Sequence, residues 1–296
     1  MRIATKFNLV LISIMSLALA GSGYFSYGML QNNAKREVIQ HAGMMLEAAL
    51  AIRGYTVSEI RPLLKDQMAH TFLPQSVPAY AATQSFDKLR SNHPEYSYKE
   101  ATINPTNPRN RAIEWEHDII RTFRDHPEKA QLIGVRTTPT GPSLYLSRPI
   151  RIKKEGCLTC HGRVNQAPAT MLSLYGTNNG FGWKMNEVVG AQIVTVPMSV
   201  PKENANLAFY RFMGIMIGIF LTMLILLNIM LNRIIIKPIT MMAAQADEIS
   251  MGKMQSPEFN ESGKDELSTL AASFNRMRRS LHKAMRMLED KGPRIH

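Results

Sequence analysis

The chain has 296 residues, 45% of them hydrophobic, and a formal net charge of +12. That length suits one or two folded domains, and the apolar content excludes a disordered chain. The cations are spread along the sequence without a basic tract, which argues against a nucleic-acid partner.

Two uncharged runs organise everything else. The first is FNLVLISIMSLALAGSGYFSYGML, residues 7–30, and the second is FMGIMIGIFLTMLILLNIML, residues 212–231. Each reaches the roughly 20 residues that a helix needs to cross a bilayer. Arg2 and Lys6 precede the first run, and Arg233 and Lys237 follow the second. The positive-inside rule then puts both ends in the cytoplasm and the stretch between them outside. The expected division is a cytoplasmic N-terminus over 1–6, a transmembrane helix over 7–30, and an exported domain over 31–211. A second transmembrane helix over 212–232, a cytoplasmic helical region over 233–288 and a tail over 289–296 complete it. The start also reads as a signal peptide, with an Ala18-Leu19-Ala20 cleavage-like site. The continuation of the uncharged run through YFSYGML favours an uncleaved anchor, and either way the middle domain is exported.

The middle domain opens with a helix carrying Val38, Ala42, Met45 and Ala49 at helical spacing. Arg61-Pro62 is expected to end it or the turn that follows. Turn-rich sequence comes next, through FLPQSVPAYAATQSF and SNHPEYSYKEATINPTNPRNRA. EWEHDIIRTFRDHP reads as a short helix closed by Pro127. QLIGVRTTPTGPSLYLSRPIRI reads as an antiparallel hairpin around Pro-Thr-Gly-Pro, and Val188 to Val196 as a third strand. A long helix with a few antiparallel strands describes an α+β domain.

Both cysteines of the chain lie in Cys157-Leu158-Thr159-Cys160-His161, expected in a Gly-flanked loop. A structural zinc site would need a second pair of ligands, and there is no second CxxC. A redox dithiol would leave His161 without a role. The reading that uses all three residues is covalent attachment of one c-type haem. Cys157 and Cys160 would form thioethers with the two vinyl groups, and His161 would be the proximal ligand of the iron. Attachment of this kind takes place outside the bacterial inner membrane, where the motif is expected, so the domain is assigned to the periplasm. One motif means one haem.

IRGYT, SVPAYAA, YSYKEAT, NPTNPRNRA and CLTCHG, in that order, resemble the periplasmic PAS-like c-type haem domains of bacterial chemoreceptors and sensor kinases. The resemblance covers about residues 35–200. It implies a PAS-like antiparallel sheet holding one haem, and a homodimer through the long helix. It also implies a distal iron ligand from that helix, a cysteine or methionine. No cysteine is available there, so Met44 and Met45 are the candidates, with His70, His93, His117 and His126 behind them. Arg53 and Tyr55, in IRGYT, are candidates for the haem propionates, arginine through its planar fork.

After the second run, Ile239, Met242, Ala246 and Ile249 recur at three and four. Leu267, Leu270, Phe274, Met277, Leu281, Ala284 and Leu288 do the same. Two such seams suit a dimeric four-helix bundle. With Pro238, ADEIS and DEL, this region resembles a HAMP linker. The sequence ends at His296 without a kinase, cyclase or methyl-accepting region, so output is expected from a separate cytoplasmic partner. The leading expectation is a membrane-anchored haem sensor of redox state or a diatomic gas, not an enzyme. The alternative is a membrane-tethered monohaem cytochrome with a periplasmic redox partner.

Overall fold

The computed structural model describes residues 3–139, 141–253, 257–260 and 262–290. Arg2, Thr140, the Leu288 side chain and residues 291–296 lie outside them. Two compact units emerge, one formed by residues 26–209 and the other by 1–25 with 210–296.

In the first unit a four-stranded antiparallel sheet has the order β1-β4-β3-β2. The strands are β1 (Ser97–Thr102), β2 (Leu132–Thr138), β3 (Gly141–Arg151) and β4 (Val188–Pro197). β2 and β3 form the expected hairpin, with Thr138 opposite Gly141. β4 is central and buried at every position, which matches its nearly unbroken apolar run VVGAQIVTVP. Helix α1 (Ile3–Tyr55) lays Val38, Ala42, Leu46 and Ala49 on one face of the sheet. They meet Leu144, Leu146, Val194 and Val196 there. The stripe passes through Leu46, and Met45 lies at its margin, partly buried. The opposite face is covered by α5 (Glu114–Asp125), whose Ile119, Ile120 and Phe123 pack on Ala191 and Ile193. The domain is therefore α+β, with helices on both faces of a small sheet.

The helical run passes through Pro62 and ends one residue beyond it, at Leu63, close to where the sequence placed its end. A π-helical turn, Thr56–Ile60, follows α1 and leads into α2 (Arg61–Leu63). Arg61 N donates to Thr56 O, so the chain widens by one residue just before the proline. A proline ring clashes with the carbonyl four residues back, and local widening relieves that clash. The short α3 (Lys65–His70) comes next. The stretch read as turn-rich contains a 15-residue helix, α4 (Pro78–Asn92), and the strand β1. Pro78 occupies the first turn of α4, where its missing N–H costs nothing. The haem motif is helical, not a loop. A 3₁₀ turn, Glu155–Cys157, runs into α6 (Leu158–His161), and α7 (Ala169–Tyr175) follows.

In the second unit, α1 and α8 (Ser199–Met230) provide two helices long and apolar enough to cross a membrane. Asn8 and Asn228 exchange side-chain amide hydrogen bonds at 2.8 Å in both directions. Such a pair satisfies amides that lipid could not. A π-helical turn, Leu231–Ile236, joins α8 to α9 (Lys237–Ser250), with Lys237 N donating to Asn232 O. This repeats at Pro238 the device seen at Pro62, so the helix widens there instead of stopping and restarting. Helix α10 (Glu266–Asp290) follows a connector. Asn275, 1% exposed, holds that connector by donating to Phe259 O at 2.9 Å and accepting from Phe259 N at 3.1 Å. Met242, Ile249 and Ala271 are buried, whereas the expected seam residues Leu270, Met277 and Leu281 are exposed in the single chain.

Leu46→Ala should lower the stability of the unit formed by residues 26–209 by about 2–5 kcal/mol, the cost of an unfilled core cavity. Met44→Ala, at a 55% exposed position, should change it by less than about 0.5 kcal/mol. Denaturant melts of the full chain in detergent, followed by tryptophan fluorescence, compare the two.

Candidate haem site

The site is built from the 155–161 turn, the loop before β4, and the C-terminal end of α1. Cys157 and Cys160 are partly exposed free thiols on the same turn. Among the described residues, no three His, Cys, Asp or Glu side chains converge as an ion's ligand set.

His161 is held from three sides. Its Nδ1 donates to the carbonyl of Gly180 at 2.7 Å, and Thr106 Oγ1 lies 3.5 Å from the same nitrogen. The Trp183 ring stacks on the imidazole, with centroids 4.0 Å apart and planes 14° from parallel. Backbone bonds close the arrangement: Trp183 N donates to His161 O at 3.0 Å, and Gly182 N to Gly162 O at 2.8 Å. A carbonyl can only accept, so the Nδ1 bond fixes the tautomer and leaves Nε2 as the ring nitrogen for a metal. Burial holds the imidazole below its ordinary pKa, against an opposing pull from the Gly180 carbonyl. The neutral form that ligates metals is thereby favoured.

Gly180 has φ +85°, and a Cβ there would fall 2.0 Å from Thr106 Oγ1. Both the backbone conformation and the space require glycine. Neither Gly180 nor Trp183 was recognisable as a partner of His161 in the sequence. The one signal is Gly180-Phe181-Gly182-Trp183 itself, two glycines before one of only two tryptophans in the chain.

On the other side lies a buried polar network. Arg53 Nη1 donates to both carboxylate oxygens of Glu100 at 2.5 Å. Tyr98 OH donates to Glu100 Oε1 at 2.8 Å, and Gln192 Nε2 donates to Tyr98 OH at 3.2 Å. Burial pushes the Tyr98 phenol well up, and the neighbouring Glu100 carboxylate adds to it. Burial works against the Arg53 cation, but Glu100, with Tyr98 and Cys157 adding, more than offsets it and the pKa is raised. Burial also pushes the Cys160 thiol up, while Arg61 draws it down. Arg53 and Arg61 are thus the cations nearest in effect to the two thiols.

The other expected site residues lie as follows. Tyr55 is 59% exposed. Met44 points away from the core-facing stripe of α1 and is 55% exposed. Nine residues, about 13 Å of helix, separate it from Arg53. Met45 packs against the hydrophobic cluster between α1 and the sheet. The helix face that meets the sheet is taken by small and branched apolar residues, with Met45 at its margin and Met44 on the exposed side. His70 is exposed, and His93 and His126 lie beside Glu95 and Glu128 at 3.8 and 3.4 Å.

A family model described as Tll0287-like, Tll0287, matches residues 31–197, more than half the chain. The chain belongs to the Tll0287-like family. Its members are haem-binding, PAS-like sensor domains. In this Tll0287-like protein a HAMP domain follows over residues 230–283. No curated protein matches the sequence. Among solved structures, the cyanobacterial heme-protein Tll0287 aligns with 54% of this chain and 95% of its own, at 15% identity and a TM-score of 0.43. The residues of the site fit a haem: two unpaired thiols on one turn, and an imidazole with Nδ1 engaged and Nε2 left for iron.

Gly180→Ala should displace the carbonyl that orients His161. Haem bound per chain should fall several-fold, while Thr106→Ala, which removes only the 3.5 Å contact, should keep its haem. Losing the hydrogen-bond partner that orients a metal-binding histidine typically costs about 10- to 100-fold in metal affinity or activity, enough to lower bound haem several-fold. Pyridine haemochrome absorbance against protein concentration measures the difference.

Proposed function

We propose that this Tll0287-like HAMP protein is a membrane-anchored c-type haem sensor with its haem domain in the periplasm. The observation that carries this is the His161 imidazole, oriented through Nδ1 beside two free thiols. Cys157 and Cys160 would hold one haem covalently, and His161 Nε2 would be its proximal ligand. When bound, the haem supplies an iron whose oxidation state or diatomic ligand is the stimulus. In this reading no substrate is turned over.

The protein's own contribution is to couple that centre to helices. The thiols lie within electrostatic reach of Arg53 and Arg61, which flank the π-helical turn at the end of α1. α1 and α8 are the elements that carry the apolar runs. Displacement of their ends would change how α9 and α10 pack, the two-state behaviour that a HAMP unit offers. The exposed Leu270, Met277 and Leu281 seam favours a homodimer that buries it, with output through a separate cytoplasmic partner. On this reading the distal iron position is not filled by Met44, whose side chain faces outward.

Cys157→Ala with Cys160→Ala should abolish haem that survives denaturing gel electrophoresis. Met44→Ala should leave the ferric and dithionite-reduced spectra unchanged. Asn275→Ala, which frees the HAMP connector, should leave both spectra intact and abolish a stimulus-dependent change in disulfide cross-linking between introduced cysteines on α10. Cross-linking that ignores both redox state and CO in the unmodified protein would instead point to a tethered electron carrier.

A further inference from the structure

A cleft on the Tll0287-like domain, remote from the haem motif, carries a separate chemistry. Tyr27 of α1 meets Phe209 of α8 edge to face at 5.4 Å. One turn further from the apolar runs, Gln31 Nε2 donates to Asn206 Oδ1 at 2.7 Å. This pair sets an antiparallel register between the two helices. Four residues beyond it on each helix stand Lys35 and Lys202, at the same level. There the surface opens into a cleft of about 260 Å³ lined by Gln31, Asn32, Lys35 and Lys202, with Val38 and Met198 as apolar wall. No acidic side chain lines it. The acids next along each helix, Glu37 and Glu203, are both exposed. Among the described residues, neither lysine ammonium meets a carboxylate.

The level of the cleft is set by the sequence. Gln31 is the first polar residue after the uncharged run, and Lys35 lies five residues, about 7.5 Å of helix, past Leu30. The polar headgroup layer is roughly 5–8 Å thick on each side of the hydrocarbon. Tyr24, Phe25, Tyr27, Phe209 and Tyr210 cluster at the ends of the two apolar stretches, as interfacial aromatics do. Two ammonium groups and two amides therefore face one cleft at the depth of lipid phosphates.

We propose that this cleft binds the phosphate of an anionic phospholipid headgroup, between Lys35 and Lys202, with the Gln31 and Asn32 amides as added donors. A lipid is preferred over free phosphate because membrane anchoring holds its phosphate at this level and raises its effective concentration. A bound headgroup would bridge α1 and α8 at the point where both leave the domain.

Native mass spectrometry of the full haem-loaded chain, with phosphatidylglycerol or phosphatidylcholine added, tests this. The unmodified protein should retain phosphatidylglycerol in preference to phosphatidylcholine. Lys35→Gln and Lys202→Gln should each weaken retention by about fivefold, and the double variant by roughly thirtyfold. Lys153→Gln with Lys154→Gln, which removes the same charge elsewhere, should leave it unchanged. Both cleft lysines are exposed, so the variants should keep the unmodified haem spectrum. Equal retention by the double cleft variant, or equal retention of the two lipids, overturns the proposal. Displacement of the lipid by equimolar inorganic phosphate would also overturn it, by assigning the cleft to free anions.

Discussion

Glu100 is a carboxylate almost without solvent, 4% exposed, on a strand with a helix across its face. Burying an unpaired charge of that kind costs several kcal/mol, so the fold must bring it a cation. Arg53 is that cation, and it comes from the last turn of α1. Tyr98 of β1 and, through it, Gln192 of β4 complete the network. One ion pair thereby fixes where the long helix ends over the sheet. It also places the guanidinium within electrostatic reach of Cys157, which adds to the rise in the arginine's pKa. The end of α1 cannot shift without stretching this pair.

Two prolines punctuate the long helices. A proline in mid-helix ordinarily kinks or ends it, because its ring meets the carbonyl one turn back. At Pro62 and Pro238 the chain inserts a π-helical turn immediately before the ring and stays helical. Each such turn is a weak point in the i to i−4 ladder, with room for small rotation. One lies where α1 leaves the Arg53–Glu100 pair, and the other where α8 becomes α9. The connector of the HAMP domain is tethered more firmly, by two hydrogen bonds between Asn275 and the Phe259 backbone. Rigid segments with defined soft points move as units, which suits a signal better than uniform flexibility does.

What could be read in the sequence was what repeats or what is chemically rare. The apolar runs, the heptad spacing, the hairpin around Pro139 and the CxxCH motif are all local patterns. α4 and β1 were hidden because PAYAATQSF and SYKEAT sit among prolines and asparagines. The helix-starting role of Pro78 depends on its position and not on its presence. The partners of His161 were not legible, because Thr106, Gly180 and Trp183 are 55, 19 and 22 residues away and contribute through a backbone carbonyl and a ring face. Glu100 was invisible for a related reason. A lone acid on a strand reads as a solvated face unless its partner, 47 residues back, is known.

Arg53 shows how one side chain can suit two carboxylates. As a bare arginine in IRGYT it suits a propionate, since its fork matches any carboxylate. In the fold one of its nitrogens, Nη1, already donates to both carboxylate oxygens of Glu100. Arg61 is under no such constraint. It is exposed, lies on the far side of the π-helical turn, and acts electrostatically on Cys160. The two arginines thus differ in what holds them: Arg53 ties the end of the helix to the sheet through Glu100, and Arg61 stays exposed beside Cys160.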